Sequence, residues 1–597
     1  MFAWGPDELN TEQGDAVIAP DNILLMACPG SGKTRTLTYK VAYELDRIGD
    51  GQQKVAAITY THRAADEIIE RIENLGVAAD QLWIGTIHSF CLEWIIRPYG
   101  IYHPQLANGY RIIDTHEREE LLTELCAPYA HLKIRHFDCE FYFANHELVA
   151  ACRDRNKRGA VLEILEEYQA HLQENRLLDF EFMLLYAVEL IEDHPKIASI
   201  LAKIFPFIAI DEYQDTKGIQ YEVIASIIRA GSGNTKAFIV GDPNQGIYHS
   251  LGGYPIMLDD LRQITGQHFE LMELVRNYRS SLRIVDFFSN FRLEASRIEA
   301  CSSHRAFNST ITYDQNLLRE NLQGELIRLI RSSIESGISP HEVCVIAPQW
   351  VHLASVTRFL AASLPEFRFD GPGMVPFAKD PLNIWFKVSR IALTSASPGM
   401  YVRRMRWAAE VLHDLNSAGA HTEALSPALL LKFSNGIAIN ETEGLPYLRT
   451  FFEELCLKLR IEYRRLAKLA SDFEAFFAGS ESRIERLLRE GAQFMSDVES
   501  FRRVFQARNG ITVSTIHGVK GAEFDVVIAY GLLEGMVPHF NDPNPLQSAT
   551  RLLYVIGSRA RKHLHLISER GRAPWRNGPE YQPTEVLRDC VFPYDVG

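Results

Sequence analysis

No stretch of the 597-residue chain approaches 18 uninterrupted apolar residues, which excludes a membrane-spanning helix. The opening MFAWGPDELN lacks the basic and apolar regions of a secretory leader, so the chain reads as cytoplasmic with no membrane partner. Its nine cysteines are scattered and form no CxxC pair, which argues against a zinc ribbon or a disulfide framework and for reduced thiols, mostly in the core. There is no repeat of 20 to 50 residues and no Pro/Ser tract, so solenoids and long linkers are excluded. Positive charge is also short: the net charge of −14 argues against indiscriminate binding of polyanions, although a basic groove can sit inside an acidic protein. What remains, 46% hydrophobic and 23% charged residues, is the usage of folded globular domains, and at roughly 150 residues per domain the length suggests about four of them.

From residue 20 short apolar runs alternate with amphipathic stretches: NILLMAC, TRTLTYKVAYELDRI, KVAAITYT, AADEIIERIENL. Strand–helix alternation at this spacing predicts a parallel, doubly wound α/β sheet. The pattern breaks over 91–175, which reads as largely helical, and resumes at PFIAIDE (206–212) and KAFIVGD (236–242). A second alternating region begins near 276, with EVCVIAPQ (342–349) as its clearest strand. It is interrupted by helical patterns over 378–505 and returns as GITVSTIH, DVVIAYG and HLHLISE. The parse is a first core of 1–90 and 176–275 with insertion 91–175, and a second core of 276–377 and 506–597 with insertion 378–505.

Ala27-Cys28-Pro29-Gly30-Ser31-Gly32-Lys33-Thr34 joins an apolar run to a helical pattern, the context of a phosphate-binding loop. Backbone N–H groups and the helix N-terminus hold phosphate oxygens, Lys33 reaches the β and γ phosphates, and the Thr34 hydroxyl binds Mg²⁺. Ala27 departs from the strict GxxxxGK[ST] pattern. Four apolar residues then deliver Asp211 and Glu212 to the carboxyl end of a strand, where a doubly wound sheet binds ligands. There Asp211 would complete the Mg²⁺ site and Glu212 would polarise the water that attacks the γ-phosphate.

Further segments follow in order: Leu9-Asn10-Thr11-Glu12-Gln13, Ile58 to Ala65, Gly85-Thr86-Ile87-His88-Ser89-Phe90, Leu178-Asp179-Phe180, Val240 to Tyr248, Asn277-Tyr278-Arg279-Ser280, Thr515 to Phe524 and Leu553 to Ala560. In this order they resemble the motifs of superfamily 1 helicases of the UvrD/Rep/PcrA type. The resemblance implies two RecA-like domains, each with a helical insertion, and ATP-dependent, Mg²⁺-dependent movement 3′ to 5′ on single-stranded or partly duplex DNA. By the same resemblance Gln13 reads adenine, Arg35 and Tyr278 sandwich its ring, and Glu523 holds the ribose. Gln245 senses the γ-phosphate, with Arg279 and Arg559 as arginine fingers; Gly30, Ser31, Gly32 and Lys33 cradle phosphates. The strand falls to Thr61, His62, His88, Tyr248, Thr515 and Lys520.

The chain departs from that family after Tyr248, where His249-Ser250-Leu251 replaces a segment that carries a base-stacking ring and an arginine, and motif VI lacks its acidic lead-in. Its short second insertion resembles the helicase subunits of bacterial anti-phage systems, such as the Gabija helicase, which implies a nuclease subunit as partner. A strand-stimulated ATPase that serves as a sensor or regulatory subunit and unwinds poorly alone fits the same motifs. Basic patches at Arg153 to Arg158, Arg403 to Arg406 and Lys458 to Lys468 read either as strand contacts or as solvated helix faces.

Overall fold

The computed structural model describes residues 2–5, 7–49, 51–113, 115–152, 154–371, 375–378, 380, 383–489, 496–506, 509–540, 542, 544–573 and 578–596. They group into two compact units, 1–322 with 516–597, and 323–515.

The first unit holds a six-stranded parallel sheet built from β1 (Asn22–Ala27), β2 (Val55–Ile58), β3 (Leu82–Gly85), β4 (Phe207–Asp211), β5 (Lys236–Gly241) and β6 (Phe269–Leu274). The spatial order β6-β1-β5-β4-β2-β3 places β1, β5 and β4 side by side at the centre. All five residues of β4 are buried, as its uninterrupted apolar run requires when helices cover both faces. The helix Lys33–Arg47 follows β1 directly, and the carboxyl ends of β1, β4 and β5 therefore share one edge of the sheet. Three more parallel strands belong to this unit: β7 (Ile311–Asp314) pairs with β12 (Ala560–Ile567), which pairs with β11 (Phe524–Ala529).

The second unit has its own parallel trio, in which β10 (Ile511–Thr515) pairs with β8 (Val343–Ala347) and β9 (Phe369–Asp370). Helices between Ile384 and Arg503 bury an aromatic core. Trp385 sits at its centre, with ring centroids 5.0 Å from Phe452, 5.1 Å from Tyr463 and 5.2 Å from Phe473, and its indole N–H donates to the Leu469 carbonyl at 2.9 Å.

Within 91–175 the structure adds what a helical reading omits, a hairpin of Phe141–Ala144 with Glu147–Ala150. Its turn residues Asn145 and His146 both adopt left-handed φ, 49° and 64°, as a two-residue hairpin turn demands.

Candidate active site

The phosphate loop is shaped by two left-handed glycines, Gly30 (φ 69°) and Gly32 (φ 83°). A Cβ at Gly30 would stand 2.5 Å from the Arg279 Cβ, and one at Gly32 2.6 Å from the Gln13 amide nitrogen. These positions thus admit only glycine, because neighbouring segments close on the loop backbone. The Asn277 amide donates to the Pro29 carbonyl at 2.7 Å, and the Tyr278 N–H to the Gly30 carbonyl at 2.9 Å. Gln13 is drawn in as well: its amide donates to the Ser31 carbonyl at 2.8 Å while its carbonyl oxygen accepts from the Asn10 N–H in a capping box. The Asn10 amide in turn donates to the Tyr278 hydroxyl at 2.8 Å. Tyr278 is half-exposed and Arg35, in the first turn of the helix after the loop, is exposed.

Lys33 Nζ lies 3.8 Å from a carboxylate oxygen of Glu212, so the loop cation and the acid after β4 meet at the sheet edge. Glu212 adopts left-handed φ, 56°, a conformation costly for a residue with a side chain. Its N–H donates to Asp211 at 3.0 Å, and its carboxylate accepts from the Gln214 amide. Burial, and then the charge of Glu212, push the Asp211 carboxyl above its ordinary range. Burial opposes ionisation of Glu212 too, but Lys33 first and then Lys520, the Gln214 amide and Arg559 hold its carboxyl low. One acid is thus held ionised while its neighbour resists ionisation until a cation joins it. Asp211 with the Thr34 hydroxyl fits Mg²⁺, which takes few protein ligands and fills its shell with water and phosphate oxygens. Among the described residues no cluster of three or more His, Cys, Asp or Glu forms an all-protein metal cage.

Gln245 joins the two halves of the site. Its amide donates to Asp242 at 2.6 Å, and its carbonyl oxygen accepts from Arg559 Nη2 at 2.5 Å. Arg559 is 1% exposed and braced by the carbonyls of Val555 (3.2 Å) and Ala522 (3.3 Å). Burial, and then the nearby charge of Arg279, bring its pKa down to about 9. Arg279 bonds Glu523 at 2.6 Å and the Ser558 carbonyl at 3.0 Å. The structure therefore brings Gln13, Lys33, Asp211, Glu212, Gln245, Tyr278, Arg279, Glu523 and Arg559 into one connected region of the first unit.

The expected strand residues are more dispersed. Tyr248 forms a ring series with Tyr60 (5.2 Å) and His517 (5.4 Å). Tyr60, 46% exposed, is not singled out by sequence; the signal available is an aromatic ring two residues after a buried strand. The Thr61 hydroxyl caps the helix His62–Asn74, accepting from the Ala64 N–H at 3.2 Å, and the side chain of His62 lies outside the described residues. His88 stands edge-on to Phe180 at 5.5 Å. Thr515 ends β10 in the second unit. Lys520 bonds the buried Asp215 and donates to the Gln245 carbonyl at 2.8 Å. In the segment that departs from the family, the side chain of Ser250 lies outside the described residues, and Tyr254 packs edge-on against Tyr221 at 5.7 Å.

A phosphate loop, a strand-end acid pair and a buried arginine bonded to Gln245 define a P-loop nucleotide hydrolase with a second set of residues completing the site. Residues 9–263 match the UvrD/REP helicase N-terminal domain and residues 452–571 the UvrD-like helicase C-terminal domain. The chain is 22% identical over 642 aligned positions to the ATP-dependent DNA helicase PcrA of Staphylococcus aureus, covering 98% of this chain and 86% of that one. It is 21% identical over 640 positions to the PcrA of Staphylococcus epidermidis, covering 97% and 86%. The chain belongs to the UvrD/Rep family of ATP-dependent DNA helicases, whose members use ATP, typically with Mg²⁺.

Proposed function

We propose that this protein is an ATP- and Mg²⁺-dependent motor that moves 3′ to 5′ along single-stranded DNA and separates strands. The observation that carries the reading is Gln245, bonded at once to Asp242 beside the acid pair and to the buried Arg559. A group so placed registers the γ-phosphate and passes its presence or loss to whatever holds the arginine. Lys33 and the loop N–H groups bind the phosphates, Glu212 orients the attacking water, and Arg279 and Arg559 stabilise charge on the transferring group. Thr34 and Asp211 would hold Mg²⁺, which would supply charge neutralisation for the phosphates. Gln13, Arg35 and Tyr278 take the adenine and Glu523 the ribose. Tyr60, Tyr248, Thr61 and His88 meet the strand, with rings for base stacking and hydroxyls for the backbone.

A second reading, in which strand-stimulated ATP turnover drives a regulatory subunit beside a nuclease in anti-phage defence, is favoured by His249-Ser250-Leu251 in place of the stacking and arginine positions. One experiment decides: ATP turnover with and without single strand, beside displacement of a duplex carrying a 3′ or a 5′ tail. Displacement from the 3′ tail alone supports the motor. Strand-stimulated turnover without displacement supports the regulatory subunit, and turnover indifferent to strand overturns both.

A further inference from the structure

Lys520 stands where a strand-binding cation is expected, yet its surroundings are those of a residue already spent. Its amine bonds the Asp215 carboxylate, 305 residues away in the chain, and donates to the Gln245 carbonyl at 2.8 Å. The Lys520 side chain is 9% exposed and that of Asp215 is fully buried. A cation that grips a phosphate backbone gains affinity by releasing counterions from it, which requires a free charge at a surface. Lys520 instead neutralises a carboxylate that water does not reach, and removing either partner leaves the other charge stranded.

The position of Asp215 gives the pair its meaning. It closes the short turn Tyr213–Asp215, which begins directly after Glu212. Within that turn the Gln214 amide holds the Glu212 carboxylate, and the Gln214 carbonyl oxygen accepts from the Asp242 N–H at 3.0 Å. The far side of the turn is fastened to the segment after Tyr248. The Tyr254 N–H donates to the Thr216 carbonyl at 3.2 Å, and Gly253 lies so close that an added Cβ would stand 2.9 Å from the Asp215 carbonyl. The Lys520 amine also lies 5.5 Å from the centre of the Tyr248 ring. One ammonium thus ties together the turn that aims Glu212, the backbone of Gln245 and the ring expected to meet the strand.

We propose that Lys520 is a positioning residue for ATP hydrolysis: through Asp215 it fixes the turn behind Glu212 against the Gln245–Tyr248 segment, and it makes no phosphate contact with the strand. The inference rests on the reading of Glu212 as the group that orients water.

The test uses the full chain with Lys520→Met and Asp215→Asn, which remove charge at nearly constant shape, and the double variant. ATP turnover is measured with and without a saturating oligothymidine, and oligothymidine affinity is measured across a salt series. Each single variant is expected to lose roughly tenfold or more in kcat with the KM for ATP nearly unchanged. The double variant should be no worse than the poorer single, because the two residues act as one unit. The dependence of log affinity on log salt should be the same in all four proteins. A slope shallower by about 0.7 in Lys520→Met alone would make Lys520 a phosphate contact and overturn the proposal. So would losses that multiply in the double variant, or full turnover in both singles. A native chain that does not turn over ATP would overturn the hydrolytic reading of Glu212 itself, and the positioning role of Lys520 with it, whatever the salt series showed.

Discussion

The nucleotide end of the first unit and the helical part of the second handle charge in opposite ways. In the first, Arg559 and Asp211 are buried, Arg559 bonding Gln245 and Asp211 the Glu212 N–H, and Arg279 reaches Glu523 and the carbonyl of Ser558. In the second, exposed cations pair with acids nearby: Arg464 with Glu453 at 3.1 Å, Arg465 with Glu462 at 2.6 Å and Lys468 with Asp472 at 2.6 Å. A buried exception there, Arg404, donates to the Ile391 carbonyl at 3.2 Å and to the Asn435 side chain at 2.9 Å, bridging two helices. Burying charge costs several kcal/mol per ion, so a fold that does so repeatedly at one sheet edge retains those groups for chemistry, whereas exposed pairs contribute little. The contrast is testable because it ranks residues by consequence rather than by charge.

The largest effects belong at the buried end. Lys33→Ala and Glu212→Gln should each lower ATP turnover at least 10²-fold, with nucleotide binding better preserved in Glu212→Gln, since in the proposed roles Lys33 binds phosphate in the ground state and Glu212 acts on the attacking water. Steady-state kinetics beside binding of a fluorescent ATP analogue would show this; near-normal turnover in either variant breaks the assignment. Arg559→Ala should cost about 10²-fold in turnover while leaving analogue affinity mostly intact, because a finger chiefly stabilises charge that develops during transfer. A raised KM with unchanged kcat would make Arg559 a ground-state contact instead.

Effects on the strand should be smaller. Tyr248→Ala removes a ring from the series with Tyr60 and His517, and base stacking is worth about 1 to 3 kcal/mol per base, so single-strand affinity should fall by roughly 5- to 150-fold. Tyr254 already packs on Tyr221, so Tyr254→Ala should change strand affinity much less. Equal losses in a binding titration would place Tyr254 on the strand as the ring that Ser250 does not supply.

How much of this was legible beforehand follows from how far apart the interacting residues lie. The strands announce themselves: PFIAIDE contains β4 and EVCVIAPQ contains β8, since a buried parallel strand needs an unbroken apolar run ending in polar residues at the ligand edge. Strand β9 has only two residues and no pattern to read. The hairpin at 141–150 did leave a signal, Asn145-His146 between the short apolar runs FYFA and LVA, within a stretch whose helices dominate. For the site, residue types and order pointed to the phosphate loop and the acid pair, both local in sequence. That Gln245 meets Arg559 and that Lys520 is tied to Asp215 depends on how distant segments are brought together, which composition and spacing do not encode.

Burial alone does not mark a catalytic group, and Asp179 sharpens the comparison. It caps the helix Phe180–Asp193 by accepting from the Phe182 N–H at 2.8 Å, accepts from the Tyr168 hydroxyl at 3.1 Å, and lies 3.9 Å from Arg118. Burial, only partly offset by these partners, pushes its carboxyl up to about 6. Because the folded value exceeds the ordinary one of about 3.9, the native state binds the proton more tightly, and Asp179 lowers stability as pH rises from about 4 to about 6. Asn caps a helix as well as Asp does, so Asp179→Asn should keep the fold and remove that decline. Melting midpoints of the two proteins should diverge in favour of the variant from about pH 4 to about pH 6 and stay apart above it; an offset constant from about pH 4 upward would show that Asp179 titrates normally.

The smallest effect should come from the outward-facing cations. Arg464 and Arg465 are 75% and 81% exposed, each already beside a carboxylate, and exposed pairs of this kind contribute about 0 to 1 kcal/mol. If they are only a solvated face, Arg464→Ala with Arg465→Ala should leave ATP turnover unchanged and shift the melting midpoint little. More tellingly, it should leave the salt dependence of strand affinity where it was, because no phosphate contact has been removed. If they grip DNA, each lost contact should make the slope of log affinity against log salt shallower by about 0.7 for single strand or 0.9 for duplex. The sign of the carboxylates decides the expectation: to reach a phosphate each arginine would first have to leave Glu453 or Glu462, whose charge would then repel the same backbone. A shallower slope would therefore show that those glutamates give way on binding, and that charge facing outward in the second unit serves the strand as directly as charge turned inward in the first serves the nucleotide.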